Sequence, residues 1–258
     1  MSDTGASEKQ QVTPESSLAE RVAAVSDHFH SPMDFGDGII TKPKHVQRRF
    51  ARRMRLLDLP ADMTGMTVLD IGAWDGYFSF EFERRGAARV LAVDTFAWRD
   101  GGIANFLLAH EHFKSKVEYR ELDAHDLSPD LIGTFDLVFC CGVLYHLRHP
   151  LMALERIRSV TAGHLVMETH SLIPATHERF PIMTFFPGDT EANVENRPRH
   201  NWRRGGFPTQ AWVSDALTSA GFARHEFVYT PSMKWAKKMV ALATGVPQSG
   251  RLIVKAYV

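Results

Sequence analysis

The chain has 258 residues, 44% of them hydrophobic and 23% charged, with 30 basic and 30 acidic side chains and a formal net charge of zero. That length can bury a full core and makes one large domain the default, while the balanced charge speaks against a dedicated nucleic-acid binder without excluding a local basic patch. No apolar run reaches the roughly 18 to 20 residues that cross a bilayer, and no apolar signal core opens the chain. The two cysteines, Cys140 and Cys141, are adjacent in an apolar stretch, which argues against a disulfide framework or a zinc site and fits a reducing, cytoplasmic setting.

Residues 1–14 are small and polar and are expected to form a disordered tail. From Ser16 to His30, Leu18, Val22, Val25 and Phe29 recur at helical spacing. The Phe29–Gly38 stretch breaks that helix, either as a lid over a ligand or as a surface connection. The chain then turns basic, with Lys42, Lys44, Arg48, Arg49, Arg52, Arg53 and Arg55 around an apolar row of Val46, Phe50, Met54 and Leu57. This is a basic amphipathic helix, either a solvated face or a contact for RNA phosphates, an acidic substrate or a membrane surface. Residues 15–60 are therefore read as an N-terminal helical cap on a domain spanning 61–258.

The stretch from Thr67 to Tyr77 organises the rest. Val68, Leu69 and Ile71 make a short buried strand, Gly72 and Gly76 allow a tight turn, and Tyr77–Arg85 reads as a helix stopped by Gly86. A second strand, Arg89–Asp94, also ends in a carboxylate. A βαβ unit with an acid at each strand end implies a nucleoside at the carboxyl edge. A dinucleotide fold asks for G-x-G-x-x-G, with a pyrophosphate lying on the backbone. Here the second and third glycine positions hold Trp74 and Tyr77, and an indole at the close-approach position argues against a pyrophosphate.

Further on, Asn105–Phe113 reads as a helix, Val117–Glu121 as the third strand and Phe135–Cys141 as the fourth. The fourth strand runs into Gly142-Val143-Leu144-Tyr145-His146. Leu151–Val160 is a helix and His164–Glu168 the fifth strand, followed by Thr169, His170 and Ser171. A long insertion, 171–208, is rich in Pro, Asn, Arg and His and is expected to cover the substrate. Its histidines show no tight ligand spacing, so no metal is expected. Thr209–Ala220 reads as a helix, Arg224–Tyr229 and Arg251–Val258 as strands. The alternation of strands and helices indicates a single α/β domain.

The D-x-G-x-x-x-G loop (Asp70, Gly72, Gly76), with Asp94 at the second strand end, resembles the class I methyltransferases, whose ligand is S-adenosylmethionine (SAM). The Gly142–His146 run with Pro150, Glu168-Thr169, Phe186-Pro187-Gly188, Asn201-Trp202 and Gly221-Phe222 is more closely similar to the tRNA wobble-uridine carboxymethyltransferases and their methyltransferase relatives. The resemblance implies a Rossmann-like fold with a mostly parallel seven-stranded sheet and helices on both faces. It implies cofactor contacts from Asp70, Gly72, Ala73, Trp74 and Gly76 toward the methionine end, and from Asp94 to the ribose hydroxyls. Thr95 and Phe96, in the Thr95–Trp98 stretch, would pack on adenine, and Asp123, followed by Ala124, would accept from its amino group. Asp126 is the competing candidate, or a helix cap. Cys141 and Tyr145 complete the cofactor set. At the edge where the methyl emerges, Tyr145, His146, Glu168, His170, Trp202 and Arg203 are the substrate candidates. His146 is the first candidate base or a loop brace, and His170 the second.

The carboxy-SAM enzymes of that family bring a lysine from a Trp-Arg-Lys-Gly-Pro segment to the extra carboxylate. The corresponding Phe29–Gly38 stretch has none, and the family's Arg-Arg-Thr segment is unmatched, Lys234-Trp235 being a poor substitute. Lacking these cations, the chain is expected to use ordinary SAM and to methylate a small molecule in a biosynthetic pathway. The alternatives are a tRNA-modifying (carboxy)methyltransferase that contacts RNA through the Lys42–Arg55 helix, and a non-catalytic SAM-binding protein.

Overall fold

The computed structural model describes residues 16–173, 180–185, 205–232, 239 and 248–258. Seven strands form one sheet in the order β3-β2-β1-β4-β5-β7-β6. They are β1 (Thr67–Ile71), β2 (Arg89–Asp94), β3 (Glu118–Glu121), β4 (Phe135–Cys141), β5 (Thr161–Ile173), β6 (Arg224–Tyr229) and β7 (Gln248–Tyr257). β1 to β5 pair in parallel, and β7 runs antiparallel between β5 and β6.

Successive residues of each inner strand fall into different cores, as the pleat demands. Leu69, Ile71, Leu91, Val93, Val138, Cys140, Leu165 and Met167 face one way, onto α5 (Pro129–Ile132), α6 (Pro150–Ser159) and α7 (Gln210–Ser219). Val68, Val90, Ala92, Leu137, Phe139 and Val166 face the other way, onto α1 (Leu18–Ala24), α2 (Lys44–Leu57), α3 (Tyr77–Arg84) and α4 (Ile103–Phe113). Apolar runs such as Val68-Leu69 are what a sheet covered on both faces requires. This is the expected Rossmann-like architecture.

Several boundaries differ from the sequence reading. The expected Ser16–His30 helix is α1 followed by a separate 3₁₀ turn, Ser26–His28. A capping box sets its start, with the Ser17 hydroxyl and the Glu20 carboxylate each holding the other's backbone N–H. β5 does not stop at Glu168 but continues to Ile173, because β7 pairs with it from His164 to Ile173. Ser171 to Ile173, assigned to the insertion, are therefore strand. α4 is preceded by a π turn, Trp98–Gly102, at Gly101-Gly102.

The Phe29–Gly38 stretch is a strap across the sheet's carboxyl edge. Phe29, Met33 and Phe35 are buried in the α1–α4 core, and the Asn105 amide donates to the Val25 carbonyl at 3.0 Å, tying the end of α1 to α4.

Candidate active site

The strand order reverses between β1, whose successor β2 lies on one side, and β4 on the other. A crevice opens at the carboxyl ends of such a switch point, and here it is a cavity of about 860 Å³, lined from the glycine turn to Arg251. Ligand sites typically span roughly 300 to 1,000 Å³.

The β1–α3 turn builds its floor. Gly72 has φ +76, and a β-carbon there would run into the Val143 side chain. Trp74 also takes a left-handed conformation, φ 49, costly for a bulky residue. Three contacts fix it: its N–H donates to Asp94 Oδ2 (3.1 Å), its indole N–H to the His28 carbonyl (2.8 Å), and its own carbonyl accepts from the Trp98 indole (2.7 Å). Asp75 Oδ2 accepts the N–H groups of both His30 (2.8 Å) and Ser31 (2.7 Å), so the strap is fastened to the turn itself. Behind the turn, buried Asp70 accepts the Ser79 hydroxyl at 2.6 Å. Burial pushes its carboxyl up to about 7, against the Ser79 bond and with help from Asp94 and Asp75.

The half of the cavity that would take a nucleoside lies over β2 and β3. Asp94 Oδ1 accepts the Ala97 N–H at 3.0 Å, and burial raises its pKa despite the bonds from Trp74, Ala97, Thr95 and Trp98. Asp94 also lines the cavity at the end of β2, where a ribose would lie. Asp123 accepts the backbone and ring of His125 (3.0 and 2.6 Å) and the Thr95 hydroxyl (3.3 Å). Burial raises the Asp123 carboxyl, but these bonds outweigh it and leave the pKa below its ordinary value. Asp126 is exposed and off the cavity wall. Within Thr95–Trp98, Phe96 lies on the wall, whereas Trp98 is 3% exposed in the core.

The half that would take an acceptor lies over β4, β5 and β7. Glu168 and His170 share the β5 face of Val166, across from Ile253 and Arg251 of β7, and α2 covers that face. Glu168, 1% exposed, is ion-paired with Arg53 of α2 and with Arg251 (3.1 Å). Arg251 also donates to the Tyr145 hydroxyl at 3.4 Å. Both arginines line the cavity, while Glu168 and His170 do not. Two guanidinium groups against one carboxylate leave this end with net positive charge. The sequence reading weighed cations only in the strap and in the segment containing Lys234, which lies outside the described residues, and did not consider these two arginines. Arg53 is not an outward RNA contact.

Tyr145 and His146 sit on a 3₁₀ turn, Leu144–His146. Phe207, with Gly206 donating to the Tyr145 carbonyl at 3.1 Å, brings the insertion's returning end against that turn. His170 stacks on Phe207 (5.2 Å) and meets Tyr145 edge-on (5.0 Å). Burial, then the Arg251 and His146 charges, lower its pKa to about 4. The Cys141 thiol, on the wall, is pushed well above its ordinary value by burial and stays protonated.

Of the predicted residues, Asp70, Gly72, Ala73, Trp74, Asp94, Thr95, Phe96, Asp123, Ala124, Cys141, Tyr145 and His146 line the cavity and Gly76 does not. Gly76 caps α3 with φ 80, where a β-carbon would strike Phe80 and Phe106. Trp202 and Arg203 lie outside the described residues. Sequence reasoning missed Arg53, Arg251, His30 and His125. Arg53 falls three residues after Phe50, on the apolar stripe, which was a readable signal. Among the described residues no group of three His, Cys, Asp or Glu side chains could hold a metal, and no helix is long and apolar enough to cross a membrane.

The site fits SAM: it offers a nucleoside half with strand-end carboxylates, an acidic turn beneath a cationic sulfonium, and an indole where a pyrophosphate would need bare backbone. The fold is that of a class I methyltransferase, and the cavity at its switch point has the chemistry to take SAM. Residues 44–222 match the methyltransferase-domain family, and the chain belongs to it. It is similar to a tRNA U34 carboxymethyltransferase of Desulforapulum autotrophicum, 30% identical over 199 residues that make up 72% of this chain and 56% of that protein. The chain thus spans about half the length of the curated relatives it matches. By fold it is similar to the N-terminal domain of EvdMO1, solved with SAH and D-fucose (TM-score 0.68, 18% identity, 93% of this chain and 95% of that one). It is also similar to the [4+2]-cyclase SpnF (TM-score 0.56, 14% identity, 89% and 86%). Chains of this fold thus carry different activities, and the site must decide.

Proposed function

We propose that the chain transfers the methyl group of SAM to a nucleophilic O, N or C atom of a small-molecule acceptor. Bound SAM supplies an activated methyl on a positively charged sulfur. The chain supplies placement: Asp94 and Asp123 orient the nucleoside, the Gly72–Asp75 turn holds the methionine end, and the strap roofs the junction with the acceptor half. Holding the reacting atoms in line converts an encounter into an intramolecular step, which is where most of the acceleration arises.

The observation that carries the small-molecule reading is the acceptor half. Its lining includes Arg53, Tyr145, His146 and Arg251, with His30 and Ser31 of the strap, a chemistry suited to a compact polar ligand. A second reading, tRNA modification, is favoured by the named relative and by the outward row of Arg48, Arg49, Arg52 and Arg55 on α2. Retention of the fold for SAM binding without turnover is the third. Incubation with methyl-labelled SAM and either a small-metabolite extract or total tRNA separates them. Label entering the small-metabolite fraction alone is expected; label entering tRNA would overturn the assignment, and none in either would favour the third reading.

A further inference from the structure

The strap carries a side chain that none of the sequence motifs identified. His30 lines the cavity, and its position is set by the cofactor turn: its N–H and that of Ser31 share Asp75 Oδ2, and the preceding His28 carbonyl takes the Trp74 indole N–H. The imidazole lies over the Trp74 ring at 5.0 Å, tilted by 35°. His30 is exposed and accessible from the cavity. Arg53 and Arg251 line the same cavity, and their charges act on the imidazole. His30 is therefore fastened to the glycine turn and faces the cavity that the two arginines also line.

We propose that His30 is the general base that takes the acceptor's proton during methyl transfer. The assignment rests on the reading of the cavity as adjoining donor and acceptor halves. The acceptor's lone pair forms the bond to the methyl carbon, the carbon–sulfur electron pair returns to sulfur, and the acceptor's O–H or N–H proton passes to an imidazole nitrogen. The positive charge lost from sulfur reappears on the imidazolium, which then releases its proton to water.

The surroundings favour the proton-accepting form. Burial lowers the His30 pKa; Asp75, in the turn, opposes this, while Arg53 of α2, Arg251 of β7 and Lys42 before α2 add to it. A neutral imidazole is the form a base must have before the reaction. The other histidines are less suited. His170 lies off the wall with its Nδ1 buried, His125 is engaged by Asp123 at the nucleoside end, and the His146 ring packs on Tyr145 at 4.0 Å.

The test needs no acceptor. Histidine ring resonances would be titrated by NMR in the full chain saturated with SAH and then with SAM, with the His30 signal assigned by its loss in His30→Gln. SAM differs from SAH by the sulfonium charge and the methyl. A ring facing that methyl should titrate about one pKa unit lower in the SAM complex than in the SAH complex, the size expected for a unit charge several ångströms away at a protein–water boundary. Equal His30 values in the two complexes, or a larger difference at His146, would overturn the assignment. Calorimetry on the same samples reports SAM binding separately, so a failure of the cofactor reading is distinguishable from a failure of the base assignment.

Discussion

At the scale of single residues, two buried groups pull stability in opposite directions with pH. His170 has a folded pKa of about 4 against an ordinary 6.5. The unfolded chain therefore binds more protons between these values, and stability is lost as pH falls through that window. Asp70 has a folded pKa of about 7 against 3.8. There the folded chain binds more protons, and the contribution to stability is lost as pH rises from about 4 toward 7. In urea unfolding at a series of pH values, His170→Gln should unfold with less loss of stability on acidification from pH 6.5 to about 4 than the parent. Asp70→Asn should remove the opposite slope. Parallel curves for parent and variants would contradict these placements. The sequence located Asp70 by its motif, but its near-neutral pKa follows chiefly from burial, with Asp94 and Asp75 adding to it, and only the folded chain supplies these surroundings.

At the scale of elements, the strap is held to the cofactor turn by one carboxylate. Asp75→Ala would leave the N–H groups of His30, Ser31 and Tyr77 without their side-chain acceptor. Losing such partners costs roughly 1 to 3 kcal/mol for each group that stays buried, so the strap should detach locally before the domain unfolds. Chymotrypsin should then cut at Phe29 and Phe35, which are buried at 2% and 4% exposure in the intact chain. Protection equal to the parent's would show that the apolar contacts hold the strap alone. The strap's path was not legible, since Phe29–Gly38 reads equally as lid or connection until Asp75 and Trp74 are seen to hold it. β2 and β4, by contrast, were readable to the residue, because a strand covered on both faces has no polar alternation to blur its ends. β5 was not: polar Glu168, Thr169 and His170 mark a strand end in sequence, yet pairing with β7 extends the strand and the Arg53 and Arg251 charges accommodate the acid.

At the scale of the whole molecule, net charge of zero conceals an uneven distribution: α2 turns Arg48, Arg49, Arg52 and Arg55 outward and Arg53 inward. If the outer row is a solvated face, reversing Arg48, Arg49 and Arg52 together should change stability by no more than about 0.5 kcal/mol per site and leave SAM affinity unaltered. RNA binding that weakens steeply with salt and disappears in that variant would instead make the row a functional surface. The fold was legible at this scale because the order of strands and helices and the two strand-end acids define a nucleoside-binding switch point. The acceptor half was not, since its walls come from α2, β7 and the strap, far apart in sequence.

The most direct test of the central claim is calorimetric titration of the full chain with SAM, compared with Asp94→Ala, with circular dichroism confirming that the variant is folded. Asp94 anchors Trp74 and Ala97 and lines the cavity at the proposed ribose position, so one-site binding should weaken by about tenfold or more in the variant, equivalent to losing one or two hydrogen bonds to a charged group. Absence of SAM binding to the parent chain, or equal affinity in the folded variant, would contradict the assignment of this cavity as the SAM site.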